Sequence, residues 1–251
     1  MLKRNLTLGF VILVSTLFAF SVFADGLPSH SELQSTLSAV VKEPNGGFGF
    51  DMWATIVDRD GIVMAVVYSG DSRGDQYPGS RVISAQKANT ANAFSLPKMA
   101  LSTANVFSAV QPGGSLFGLQ FSNPVDTTVA YSGASEAIGT KNDPMIGGKI
   151  GGIIVFGGGL ALYDSTGKLV GAIGVSGDSS GADHNIVWKV RHILKLDFVP
   201  SGVSPTNDDN IIYDIVDGKS KSGWGHPECS DEATKIAEKL PTSHPISKKA
   251  K

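Results

Sequence analysis

Two apolar hairpins constrain this chain more than any other feature. Met52-Trp53-Ala54-Thr55-Ile56-Val57 is β-branched and aromatic, Asp58-Arg59-Asp60-Gly61 carries the Asp-Gly turn signal, and Ile62 to Tyr68 returns as a second strand. The pattern comes again downstream. Leu160 to Asp164 is a strand, Ser165-Thr166-Gly167 a turn, and Leu169-Val170-Gly171-Ala172-Ile173-Gly174-Val175 a strand. Runs this continuously apolar belong to a sheet covered on at least one face, and helices are the natural cover.

The helices follow from spacing. Ser29 and Glu32 stand three apart as a capping box, with Leu33, Leu37, Val40 and Val41 behind them at helical intervals. Residues 81–94 (RVISAQKANTANAF) read as a helix whose Ala85, Ala88, Ala91 and Ala93 permit close approach to another backbone. Pro97 is placed to open a further helix through Met99, Leu101 and Val106. Asp183 to Leu194 carries a stripe of Ile186, Val187, Val190, Ile193 and Leu194. Residues 111–149, rich in Gly, Ser, Pro and Asn, are expected to be irregular. Residues 198–251 read as an extension with a short helix at 231–240 and a solvated lysine tail.

The amino terminus carries an export pattern. Lys3 and Arg4 precede an uncharged apolar run from Leu6 to Phe20, and Val22 and Ala24 occupy the small-residue positions before Asp25. This is the three-part layout of a signal peptide cut after Ala24; the rival is an uncleaved anchor, since nineteen residues from Leu6 to Ala24 just span a bilayer of roughly 30 Å. Gly26 and Pro28 favour cleavage. The expected mature protein is exported, periplasmic or released, with no stable span after cleavage. Removing two basic residues from 21, against 23 acids, leaves a net charge of −4. That argues against nucleic acid or an anionic membrane surface as partner. The single cysteine, Cys229, excludes an internal disulfide.

Candidate chemistry is sparse. Gly174-Val175-Ser176-Gly177-Asp178 approaches a nucleophile elbow but ends in Asp178 where the second glycine belongs, and no base is placed against Ser176. The bland reading is a tight turn at a strand end. A fuller one has Gly174 to Gly177 lining a pocket before the helix from Asp183, with backbone amides for an anion. The run IGGKIGGIIVFGGGLAL has neither a dinucleotide fingerprint opening a helix nor a Walker lysine. Of His30, His184, His192, His226 and His244, no pair has zinc-motif spacing. His226-Pro227-Glu228-Cys229 sets imidazole and thiol three apart, both ligands for soft metals or haem iron, against the alternative of an ordinary surface loop. His184 is a ligand candidate or a hydrogen-bonded structural residue. Asp58 with Asp60 is explained by turn chemistry. Asn207-Asp208-Asp209-Asn210 with Asp214 lacks calcium-loop spacing and reads as solvated.

Three segments taken together resemble the HbpS/GlcG family, which includes the carboxy-terminal domain of PduO-type proteins. They are Asp58-Arg59-Asp60-Gly61 with its strand, Lys87-Ala88-Asn89-Thr90-Ala91-Asn92-Ala93-Phe94, and Gly167 to Gly177 with Asp183 following. The resemblance covers roughly residues 30–195. It implies an α/β (α+β) fold, profilin-like, three layers α/β/α around a central antiparallel sheet, here with a C-terminal extension. The implied domain spans 25–197 with an insertion near 111–149. The resemblance also implies haem or tetrapyrrole binding, sometimes haem degradation, and assembly into homo-oligomers. It transfers no axial ligand. The candidates that stand are His184, His226, Cys229, Lys87, Thr90, Gly174, Ser176, Gly177 and Asp183. The functional expectation is an exported haem carrier, buffer or sensor accessory. The alternatives are a haem-degrading or other redox enzyme, a module for a small organic anion, and a purely structural oligomer.

Overall fold

The computed structural model describes residues 26–248; the export pattern of residues 1–24 lies outside them. The first hairpin forms β1 (Trp53–Asp58) and β2 (Val63–Tyr68), the second β3 (Gly159–Tyr163) and β4 (Leu169–Ser176). One turn device closes both. The Asp58 carboxylate accepts from the amides of Asp60 and Ile62, each at 2.9 Å, and Asp164 accepts from Thr166 at 2.9 Å and Lys168 at 3.0 Å. Gly61 and Gly167 then take φ of +78° and +75°, which glycine adopts without a Cβ penalty. The hairpins join through β1 and β4, giving the antiparallel order β2-β1-β4-β3.

Strand alternation assigns the two faces. Ala54, Ile56, Ile173 and Val175 point toward α1 (His30–Val40) and α5 (Ser180–Ile193), with Leu33, Leu37, Ile186, Val187 and Val190 opposite them. The expected capping box at Ser29 and Glu32 is present. Trp53, Val57 and Ala172 face α2 (Ser80–Phe94), which presents Val82, Ala85, Ala88 and Ala91. Thr55 hydrogen bonds across this layer to Ser84 at 2.8 Å. Helices on both faces of an antiparallel sheet make three layers, as the family resemblance implies. No helix among the described residues is long and apolar enough to cross a membrane.

Gly174 sets the distance between α2 and the sheet. A Cβ there would sit 1.9 Å from the Ser84 carbonyl oxygen and 2.6 Å from the Ala88 nitrogen, both backbone atoms. Gly174→Ala therefore requires the whole helix to move. The expected loss is at or above the upper end of the roughly 1–3 kcal/mol seen for overpacking, read as a lowered urea midpoint at unchanged slope.

The stretch 111–149 is largely irregular, holding only the single turns α3 (Leu119–Ser122) and α4 (Thr127–Ala130) and a 3₁₀ turn at Ser135–Ala137. A buried Arg81–Asp143 ion pair ties it to α2.

Two sequence expectations are corrected. No helix starts at Pro97. Leu96 and Met99 bond to each other, the Tyr163 hydroxyl donates to the Leu96 carbonyl at 2.8 Å, and the chain turns helically only at Thr103–Val106, capped by Ser102. Nor is the acidic stretch after residue 206 solvated. Asp208, Asp209 and Asn210 are buried. Asp209 grips Arg191 of α5 through two bonds of 2.7 Å, and Asn210 donates to Ala237 of α6 (Asp231–Ser243) at 2.9 Å. Asp209 is buried because a buried cation on α5 receives it, and Asp208 because the Ser204 hydroxyl and the Asn210 amide donate to it. Beyond a two-strand ribbon of β5 (Ile215–Val216) and β6 (Lys219–Ser220), α6 packs against α5, while Val199 packs with Ala100, Ala161 and Tyr163.

Candidate functional site

The end of β4, the first turn of α2 and the first turn of α5 meet around an open cavity of about 340 Å³. Ser176, Gly177 and Asp178 come from the strand end, Ser80, Ile83 and Lys87 from α2, Ser180 and Asp183 from α5, and Tyr77 and Phe156 from loops. The glycine motif brings the chain this close: a Cβ at Gly177 would lie 2.6 Å from the Asp51 carbonyl oxygen.

The deepest polar groups are an ion pair. Lys87 Nζ lies 2.6 Å from Asp183 Oδ2, with both side chains almost wholly buried. Lys87 also donates to the Val175 carbonyl at 3.2 Å, and the Asp178 amide donates to Asp183 Oδ1 at 2.9 Å. Burial pushes the Asp183 carboxyl up to about 6, against the opposing pull of Lys87 and of the Asp178 amide.

Above this floor lies an aromatic rim. Asp178 accepts from the amides of Phe48, Gly49 and Phe50 at 3.0, 2.9 and 3.2 Å and so pins that loop beside the cavity. Phe48 stacks on Phe50 at 5.5 Å, and Phe50 meets Tyr77 edge-on at 5.5 Å. Phe48, Phe50, Tyr77 and Phe156 are 77%, 40%, 58% and 45% exposed. Tyr77 and Phe156 line the cavity, and Phe50 and Phe48 adjoin it through Tyr77.

The candidates read from sequence fall into separate groups. Lys87, Ser176, Gly177 and Asp183 come together at the cavity. Gly174 lies under α2. Thr90 bridges backbone, donating to Gln86 at 2.7 Å and accepting from Ile154 at 3.0 Å. His184 is wholly buried in contact with the extension, its Nε2 within 3.1 Å of the Ile211 amide, and burial pushes it down to about 3. His226 is buried against Phe107 with Nδ1 on the Pro227 carbonyl at 2.8 Å, and burial pushes it down to about 4. Its Nε2 has no partner and no exposed surface. Cys229 is exposed beside the cavity wall, its Sγ 3.3 Å from the Gly181 amide and 3.5 Å from Ser180 Oγ. Among the described residues no three His, Cys, Asp or Glu converge as metal ligands. Sequence reasoning did not find Tyr77, Phe156, Asp178 or the Phe48–Phe50 loop. The available signal was Phe-Gly-Phe, aromatics spaced by glycine in a polar loop.

Residues 29–191 match the family described as haem degrading protein HbpS-like. The chain belongs to the HbpS-like family. The matched segment runs from the N-cap of α1 nearly to the end of α5, so it contains the cavity floor and leaves the extension outside. Among solved structures, this HbpS-like chain is similar to Klebsiella pneumoniae protein ORFY at 23% identity, with 65% of this chain and 86% of that one covered and a TM-score of 0.44. It is similar to PduOC, solved as a haem complex, at 24% identity over 66% and 93% with a TM-score of 0.44, and to HbpS at 14% over 77% and 99% with a TM-score of 0.41. A comparison with curated proteins gave no match.

Proposed function

We propose that this HbpS-like protein binds haem or a related tetrapyrrole at the aromatic-rimmed cavity, acting outside the cytoplasm as a carrier, buffer or sensor accessory. Export is supported by the pattern of residues 1–24, and the ligand class by membership of the family. The observation that carries the reading is the rim. Tyr77 and Phe156 line the cavity above its polar floor, and the exposed Phe50 and Phe48 extend that flat apolar surface from Tyr77.

The residues present fit such a ligand. A cavity of about 340 Å³ is at the small end of ligand sites, so it would receive one edge of a macrocycle while the rest lay against the rim. Both α2 and α5 begin at this cavity, so the positive ends of two helix dipoles would face the carboxylates that tetrapyrroles carry. The tetrapyrrole iron would supply redox and ligand-exchange chemistry; the chain's part is to bind, orient and shield it. A second reading, turnover of the bound group, is favoured by the family's description.

The test is titration of the purified protein with haem, followed in the Soret region. A saturable shift of defined stoichiometry is expected, unchanged in His184→Ala and His226→Ala because both rings are sealed from the cavity. A non-saturating response matching that of a control protein would sink the reading. Stabilisation of the haem-refractory protein by a small organic acid would then favour the anion-binding alternative. Loss of the Soret band with iron release on adding reductant or peroxide would show turnover in place of carriage.

A further inference from the structure

We infer that Tyr77 is the residue that ligates the iron of a haem or other ferric macrocycle at this cavity, as a phenolate. This rests on the tetrapyrrole reading and deepens it. An iron ligand must offer an uncommitted lone pair to the site. No histidine or cysteine lines the cavity. His184 and His226 are buried, the first in contact with the extension and the second behind Phe107. Cys229 is outside the cavity lining.

The donors inside the lining are mostly spent. Lys87 and Asp183 neutralise each other at 2.6 Å, and Asp183 Oδ1 is held by the Asp178 amide. The Asp178 carboxylate holds the loop amides of Phe48, Gly49 and Phe50 and also that of Ser179, at 2.6 Å. Serine hydroxyls are poor iron donors. The phenol of Tyr77 remains, and tyrosinate is an established axial donor to haem iron. The phenol proton leaves to solvent as the oxygen bonds iron, so the ferric centre gains one anionic ligand and its oxidation state does not change.

The setting suits that role. Tyr77 is 58% exposed and lines the cavity, so a flat ligand entering there meets it. Its ring is braced edge-on by Phe50, which the Asp178 carboxylate fixes in turn.

The experiment compares ferric haem binding by the wild-type protein, Tyr77→Phe and Tyr131→Phe, an exposed tyrosine outside the cavity lining serving as control. Absorbance gives affinity, and resonance Raman spectroscopy gives the ligand. Wild type and Tyr131→Phe should show a phenolate-to-iron charge-transfer band with enhanced tyrosinate ring modes. Tyr77→Phe should lose both and bind about tenfold more weakly or worse. Thermal midpoints without haem should agree, since the exposed hydroxyl carries no packing. Saturable binding with one spectrum in all three proteins would overturn the Tyr77 assignment and leave the haem reading standing. No saturable binding by wild type would overturn both.

Discussion

Replacing Lys87 with methionine is expected to destabilise the protein by about 3–5 kcal/mol at neutral pH, the range for leaving a buried charge without its partner. Asp183 would lose its cation at 2.6 Å, and the Val175 carbonyl its donor at 3.2 Å. The companion variant Lys87→Met/Asp183→Asn removes both charges and keeps an acceptor for the Asp178 amide, so most of the loss should be recovered. Urea titration of the singles and the double gives the coupling directly. The pH dependence has a definite sign. Asp183 is raised in the folded protein to about 6, above its ordinary value of 3.8. Between those values the folded state holds the proton more tightly than the unfolded chain, so this group's contribution to stability falls as pH rises and is lost through about 6. Without Lys87 the folded carboxyl moves higher still. The penalty of Lys87→Met should therefore be small at pH 4 and grow toward pH 8. An equal penalty at both would mean that Asp183 ionisation does not govern the site.

The second large effect belongs to the extension. Asp209→Ala should cost about 3–5 kcal/mol, because Arg191 is left charged and buried. The Arg191 guanidinium lies 5.0 Å from the Trp188 ring centroid and donates to the Ala161 carbonyl at 3.1 Å, contacts that hold its charge in place but supply no counter-charge. The damage should be local first. Residues 198–248 should become open to limited proteolysis at denaturant concentrations where the sheet remains protected. Arg191→Met/Asp209→Leu, apolar at both positions, should restore resistance. If Asp209→Ala alone is cleaved no faster than wild type, the ion pair does not hold the extension down.

Much of the fold was legible because its signals are local. The Asp-Gly turns, the Ser29–Glu32 capping box and the alanines of α2 each act over a few residues, and each sits where its chemistry requires. Pro97 misled because its neighbour Leu96 has its carbonyl taken by the Tyr163 hydroxyl, a partner far along the chain. The site was legible only in pieces. Lys87, Ser176, Gly177 and Asp183 were singled out separately, but no spacing rule joins a lysine on α2 to an aspartate on α5. Their pairing comes from the close approach that Gly174 permits. His184 and His226 looked like ligands because residue type is visible in sequence and burial is not. Asp208 and Asp209 looked solvated for the same reason, since Asp209 is received by Arg191 and Asp208 by Ser204 and Asn210.

The β2-β1-β4-β3 order has a consequence for how the molecule assembles. Each hairpin can close on its own within microseconds, guided by its turn aspartate. The central β1–β4 ladder, from Trp53↔Ser176 to Asp58↔Gly171, must then find its register between opposite halves of the chain. That search pays loop-closure entropy before any contact rewards it. The cavity floor forms only when this ladder is complete, so a chain with two finished hairpins still lacks it. A ligand bound there as proposed would trap the docked state but would not template the search that leads to it.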